Sequence, residues 1–141
     1  METQFELQEW GRRSVSYWIT LLIAAGIIFL GARFILQPEP AATDYGISFS
    51  DHQDIAYGKI KGVRDIFSGL ALLPFLFMHM RRAAAWVFTM AIVVPVADFL
   101  IVGTTNGVHD LSHLLIHGIT ALVMIFNSFL LFHTSDQTLK S

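Results

Sequence analysis

The side chains able to do chemistry fall into three groups along the chain. Lys61, Arg64, Asp65 and Ser68 recur at intervals of three and four, so on a helix they form one stripe. Asp98 stands in a long apolar run, one helical turn after Pro95. His113 and His117 share a helical face with Thr120, Met124 and Asn127. This is equipment for moving protons. A carboxyl at Asp65 or Asp98 could donate one, and an imidazole at His113 or His117, with an ordinary pKa near neutrality, could accept one. Lys61 and Arg64 would hold a carboxylate or a developing oxyanion, with Ser68 and Thr120 alongside. Isomerisation, cyclisation or hydrolysis of a small lipophilic substrate needs no more than this. Histidines four residues apart can also share a metal ion, but His-x-x-x-His alone is a weak pattern, and no metal is expected. No nucleotide loop, haem ligand pair or redox thiol is visible, so no cofactor is expected either.

The composition says where such groups must work. The chain has 141 residues, of which 54% are hydrophobic and only 14% charged, and its mean hydropathy is +0.57. A water-soluble domain carries roughly 25% charged residues. The net charge of −2 offers no basic face, so nucleic acid is not an expected partner. There is no cysteine, which removes disulfides, thiolate metal sites and a cysteine nucleophile. The class is an integral membrane protein with the lipid bilayer as its first partner.

A helix needs about 20 apolar residues to cross the hydrocarbon core. Four stretches supply them, at about 14–36, 60–80, 83–103 and 111–133. The apolar residues run nearly all round rather than alternating, which excludes a transmembrane barrel. The expectation is an all-α, four-helix membrane bundle forming one domain over residues 1–141. The first run is read as a retained helix, not a signal peptide, because Glu2, Glu6 and Glu9 precede it. Residues 37–59 form an outer loop, with Pro38 and Pro40 stopping the first helix, that could serve as a lid, hold a short interfacial helix with aromatics at the headgroup level, or be an ordinary exposed loop.

Basic residues set the orientation. Arg12 and Arg13 precede the first span, Arg81 and Arg82 occupy the turn between the second and third, and Lys140 follows the fourth. All three places lie on one side of a four-span chain, so both termini are expected in the cytoplasm. In a bacterium the membrane would be the plasma membrane. Counting from helix ends then puts every ionisable group of the spans at one depth. Asp98 precedes Gly103 by five residues, about 7–8 Å at 1.5 Å per residue. Lys61, Arg64 and Asp65 open the second span, and His113 and His117 open the fourth. Arg64, Asp65, Asp98, His113 and His117 are therefore expected to line one cavity in the outer third, with Arg64 paired to Asp65 or Asp98. Arg33 is expected to snorkel to the interface.

Several of these segments resemble a known family. They are Gly31-Ala-Arg-Phe, Pro38-Glu-Pro-Ala-Ala, Tyr45-Gly, Gly62-Val-Arg-Asp with Ser68-Gly69, Pro95-Val-Ala-Asp98 and the histidine-bearing last helix. Together they are similar to an uncharacterised family of small four-helix membrane proteins known only as a domain of unknown function. The resemblance implies the compact bundle and no activity. The alternatives to an acid–base enzyme are a non-catalytic membrane subunit or lipid-binding module, recognised by a sealed, fully paired network, and a proton-coupled transporter. A homo-oligomer stays open, because four spans leave little room for alternating access without one.

The orientation is testable because the chain lacks native thiols. Asn106→Cys, in the connection between the third and fourth spans, should react with a membrane-impermeant maleimide from outside. Reaction only from the cytoplasmic side would reverse the orientation.

Overall fold

A computed structural model describes residues 10–133. Glu2, Glu6 and Glu9, used above against a signal peptide, and Lys140, used to orient the chain, lie outside the described residues. Six helices follow one another: α1 (Val15–Leu36), α2 (Pro38–Tyr45), α3 (His52–Phe77), α4 (Arg81–Ala91), α5 (Val93–Asn106) and α6 (Leu111–His133). There is no strand among the described residues. Three helical stretches are long and apolar enough to cross a membrane: α1, the near-continuous run Arg81–Asn106, and α6. The long α3 falls outside that set because Lys61, Arg64 and Asp65 sit within its apolar part.

The segment expected as an outer loop is mostly helical. Pro38 takes the first position of α2, where its missing N–H costs nothing and its fixed φ suits a helix. Gly46 ends α2 in the left-handed region at φ 104°, a conformation that favours glycine. Its N–H and that of Ile47 return to Ala42 O at 3.2 and 3.0 Å. The next helix then starts at His52, well before residue 60. Asp51 caps it by accepting from Gln53 N–H at 2.5 Å, and Asp54 reaches back to Asp51 N–H at 3.1 Å. That reciprocal pair satisfies the first-turn amides and lets α3 extend out of the apolar layer.

The third expected span is interrupted at Ile92, between α4 and α5. Pro95 explains the place: it has no N–H to give Ala91 O, and its ring crowds that carbonyl. Ile92 N–H turns to Thr89 O instead, at 3.2 Å.

The most extensive packing joins α1 to α3. The two backbones touch along small residues. A Cβ added to Gly31 would stand 2.5 Å from Gly62 O, one on Gly62 would stand 2.5 Å from Gly31 O, and one on Gly69 would stand 2.6 Å from Ala24 O. No side chain fits at these points, so the helices approach as closely as backbones allow. The main core lies at the other end of the bundle, where Trp10, Tyr17, Leu72, Leu76, Phe88, Met124 and Leu131 are buried together. Polar groups in that half pair across helices. Asn127 Nδ2 donates to Thr20 Oγ1 at 2.9 Å, joining α6 to α1, and Thr89 and Ser128 hydroxyls meet at 2.5 Å between α4 and α6.

Overpacking a tight contact costs about 1–3 kcal/mol or more. Gly62→Leu should therefore lower the unfolding midpoint in detergent by several degrees. Gly26→Leu should leave it unchanged, because nothing lies within 4 Å of an added Cβ there. Equal effects of the two substitutions would contradict the close approach.

Candidate functional site

The α1–α3 contact determines what gathers at the α2 end of the bundle. Gly31 and Gly62 face each other, so Phe34, one turn beyond Gly31, comes beside Lys61. The short α2 folds back over this pair and delivers Tyr45. Tyr45 packs edge-on against Phe34, with ring centres 5.8 Å apart. Lys61 Nζ lies 4.7 Å from the Phe34 ring centre and 4.6 Å from that of Tyr45. A cation over two aromatic faces is held by their quadrupoles. The same ammonium pairs with Asp65 at 2.5 Å, one turn along α3.

Tyr45 is also the link to the other helices. Its ring meets that of His117 edge-on at 4.7 Å, and His117 Nε2 lies 2.9 Å from Tyr45 O. With that carbonyl as acceptor, the Nε2–H must be present. The phenol reaches Asp98 on α5, and Asp65 is close enough to act on it electrostatically. Burial first, and then the hydrogen bond to Asp98, hold the Tyr45 hydroxyl well above its ordinary pKa. It is therefore a neutral donor at any physiological pH.

Four of the residues singled out above, Lys61, Asp65, Asp98 and His117, are thus brought together around one side chain. Three others point elsewhere. Arg64 is exposed on the outer face of α3. Among the described residues the ion pairs are Arg33–Asp44, Lys61–Asp65 and His113–Asp110, so Arg64 pairs with neither Asp65 nor Asp98. The reason is angular. Gly62 fixes which face of α3 meets α1, and Arg64, two residues on, is turned about 200° from it. Ser68 is likewise exposed and returns its hydroxyl to Arg64 O. Thr120 does the same with Ile116 O. Arg33 does not merely snorkel: it holds Asp44 of α2 at 2.7 Å and so helps to pin the segment that carries Tyr45.

His113 occupies a neighbouring cluster rather than the same one. Its Nδ1 lies 2.7 Å from Asp110, which also accepts from Asn106 Nδ2 at 2.6 Å. Asn106 donates in addition to Gly46 O. A Cβ on Gly46 would come within 2.9 Å of the His113 ring, so the α2 terminus rests directly on α6. The two histidines thus serve different partners, and no group of three or more His, Asp or Glu able to hold a metal occurs among the described residues.

Tyr45 was not among the candidate site residues read from the sequence. It stood in the expected loop, where an aromatic reads as a headgroup-level anchor. The signal that could have found it is the short helix formed by the Pro at its start and the Gly after Tyr45, which aims that residue back at the bundle.

A family model described as "Domain of unknown function (DUF4267)" matches residues 24–131, a stretch that includes every residue of the Tyr45 cluster. No curated protein and no solved structure matches the chain.

Asp110 supplies a pH test. Its hydrogen bond from Asn106, and then that from His113, hold its carboxyl below the ordinary range. A depressed folded-state pKa stabilises above the unfolded value of about 3.9 and loses that contribution as pH falls through the folded value. The difference in unfolding midpoint between the native chain and Asp110→Asn should be full at neutral pH and shrink as pH falls below the ordinary carboxylate range. A difference that does not change with pH would contradict the assignment.

Proposed function

The chain belongs to the DUF4267 family, and from that membership and the Tyr45 cluster we propose a four-span membrane protein that performs proton transfer on a small lipophilic substrate. The fourth span is α3. Supporting this is its lipid-compatible outer face, where Ile60, Val63, Phe67, Leu70 and Phe77 are all exposed. The termini are cytoplasmic, and the Tyr45 cluster lies in the outer third of the bundle.

The single observation that carries the reading is the convergence of Lys61, Asp65, Asp98 and His117 on Tyr45 from three helices. Two carboxyls and one ammonium leave the cluster short of one positive charge. A proton on Asp98 or Asp65 makes up that charge and is the proton available for reaction. The α2 helix is the lid, and Tyr45 is its plug. When α2 lifts, the polar end of a lipophilic substrate takes the place of the phenol beside Asp98. Asp98 then donates a proton, Lys61 balances developing negative charge, and Asp65 or His117 recovers a proton from another position on the substrate. That proton passes back to Asp98 before the next turnover, so nothing is consumed, as isomerisation or cyclisation requires.

A second reading has its own support. Lys61, Asp65, Asp98 and His117 each have a protein partner, which is how a sealed, non-catalytic subunit or lipid-binding module would hold its polar groups.

The two readings separate at Asp98. Protein purified from its own membranes should release a lipophilic molecule on solvent extraction. Incubation with that molecule should convert it, and Asp98→Asn should slow conversion by about 10²–10⁴-fold, the usual value of general acid catalysis. An Asp98→Asn chain that folds and retains every activity and phenotype would leave only the non-catalytic reading.

A further inference from the structure

Cover along α3 is uneven. Lys61, Asp65, Ser68, Leu72 and Leu76 recur every three or four residues and make one stripe on this helix. Leu72 and Leu76 are 3% and 0% exposed, packed in the core with Ala84, Ala85 and Phe88 of α4. One turn along, Ser68 is exposed, and the Lys61 and Asp65 side chains remain 33% and 20% exposed. The cover stops because the chain that supplies it turns away. The third expected span packs on α3 through α4, but the break at Ile92, ahead of Pro95, redirects α5. That helix packs on α6 and has no extensive contact with α3. A gap therefore separates α3 from α5, with Asp65 on one wall and the half-buried Asp98 on the other. It is narrow, since the two carboxyls are close enough to act on each other electrostatically.

The gap lies below α2, level with the apolar part of α1. Gly31 faces Gly62 and Ala24 faces Gly69, so Asp65 is level with Ile28, about 12 Å before α1 ends at Leu36. Asn127 meets Thr20, and Gly118 lies against Phe99, which brings Asp98 to nearly the same level. At the end of the bundle, α2 seats Ala41 and Ala42 beside Phe34 and closes the approach from above.

We propose that the gap between α3 and α5 is a side entrance from the bilayer to the Tyr45 cluster, and that it admits the polar end of a neutral single-chain amphiphile, a long-chain alcohol or carbonyl compound, whose tail stays in lipid. This rests on the reading of α3 as a membrane span, and it gives the substrate class and the route for the reaction proposed above. Depth selects the route. A molecule arriving from water would have to pass α2, whereas one dissolved in the bilayer is already level with Asp65 and Asp98. Tyr45 still yields its place beside Asp98, but the tail never passes α2. Charge selects the end. An anionic group would meet two carboxyls, with only Lys61, already paired to Asp65, to offset them. A hydroxyl can instead donate to a carboxylate, and a carbonyl can accept from a protonated one.

Carbodiimides test the entrance in the native chain without requiring turnover. Dicyclohexylcarbodiimide dissolves in the bilayer and adds to protonated carboxyls, while an analogue carrying a quaternary ammonium stays in water. The full chain in phosphatidylcholine vesicles is treated with each reagent over about pH 5–8, where carboxyls shielded from water can be protonated, and the adducts are located by mass spectrometry. Dicyclohexylcarbodiimide should modify Asp98 or Asp65, and the charged analogue should modify neither. Hexadecanol in the bilayer should slow that modification severalfold, and hexadecyl sulfate should not. The proposal is overturned if neither carboxyl is modified at any of these pH values, as when a second copy covers the gap. Equal modification by the charged reagent, or equal protection by hexadecyl sulfate, would overturn it too. A modified protein that converts no substrate would refute the reaction and keep the entrance, and conversion without modification would do the reverse.

Discussion

The contact between the backbones of α1 and α3 at Gly31 and Gly62 is the constraint from which the α2-bearing half of the molecule follows. Lipid offers helices no hydrophobic reason to associate, so close packing of small residues has to supply it. Once these glycines are opposed, the rotation of α3 is settled. Lys61 and Asp65 turn towards the bundle and Arg64 turns away. Phe34 is then placed beside Lys61, and the two make the seat on which Tyr45 rests. A shift of either helix by one residue would scatter that group.

The chemistry of the cluster depends on Tyr45 being both apolar and a donor. Charged groups in the membrane must be paired or neutralised, and an isolated carboxylate there costs several kcal/mol. Asp65 has Lys61 as its partner. Asp98 acts on the Tyr45 phenol, which is delivered by a short helix that Arg33–Asp44, Asn106–Gly46 and His117–Tyr45 hold down. Those ties lie at exposed or half-buried places, where hydrogen bonds and ion pairs contribute about 1 kcal/mol or less each. These polar ties are individually weak, and the buried Ala41 and Ala42 beside Phe34 add apolar contact to them.

Much of the architecture could be read from the sequence because its cause is local. Apolar runs of spanning length marked α1 and α6, and Pro95 marked the break between α4 and α5. Other features depend on geometry that spacing does not express. Lys61, Arg64 and Asp65 look like one stripe, yet their wide arc straddles the boundary between the packed and the exposed face of α3, and only the opposed glycines say which side each faces. Tyr45 was hidden for a different reason. Its segment has the composition of a loop, and its role comes from a fold-back governed by Pro38 and Gly46. The Asp51–Asp54 cap was missed likewise, since its polar residues read as loop until they are seen to satisfy the first turn of α3.

The central claim is that Tyr45 and Asp98, far apart in sequence, act as one unit across the bundle. A double-mutant cycle on Tyr45→Phe and Asp98→Asn, read as unfolding free energy in detergent, measures that coupling directly. A hydrogen bond contributes about 1 kcal/mol net and leaving one partner unpaired costs more, so the double mutant should be more stable than the sum of the single losses by about 1 kcal/mol or more. Additivity to within about 0.5 kcal/mol would mean that the two side chains do not meet, and would contradict the account.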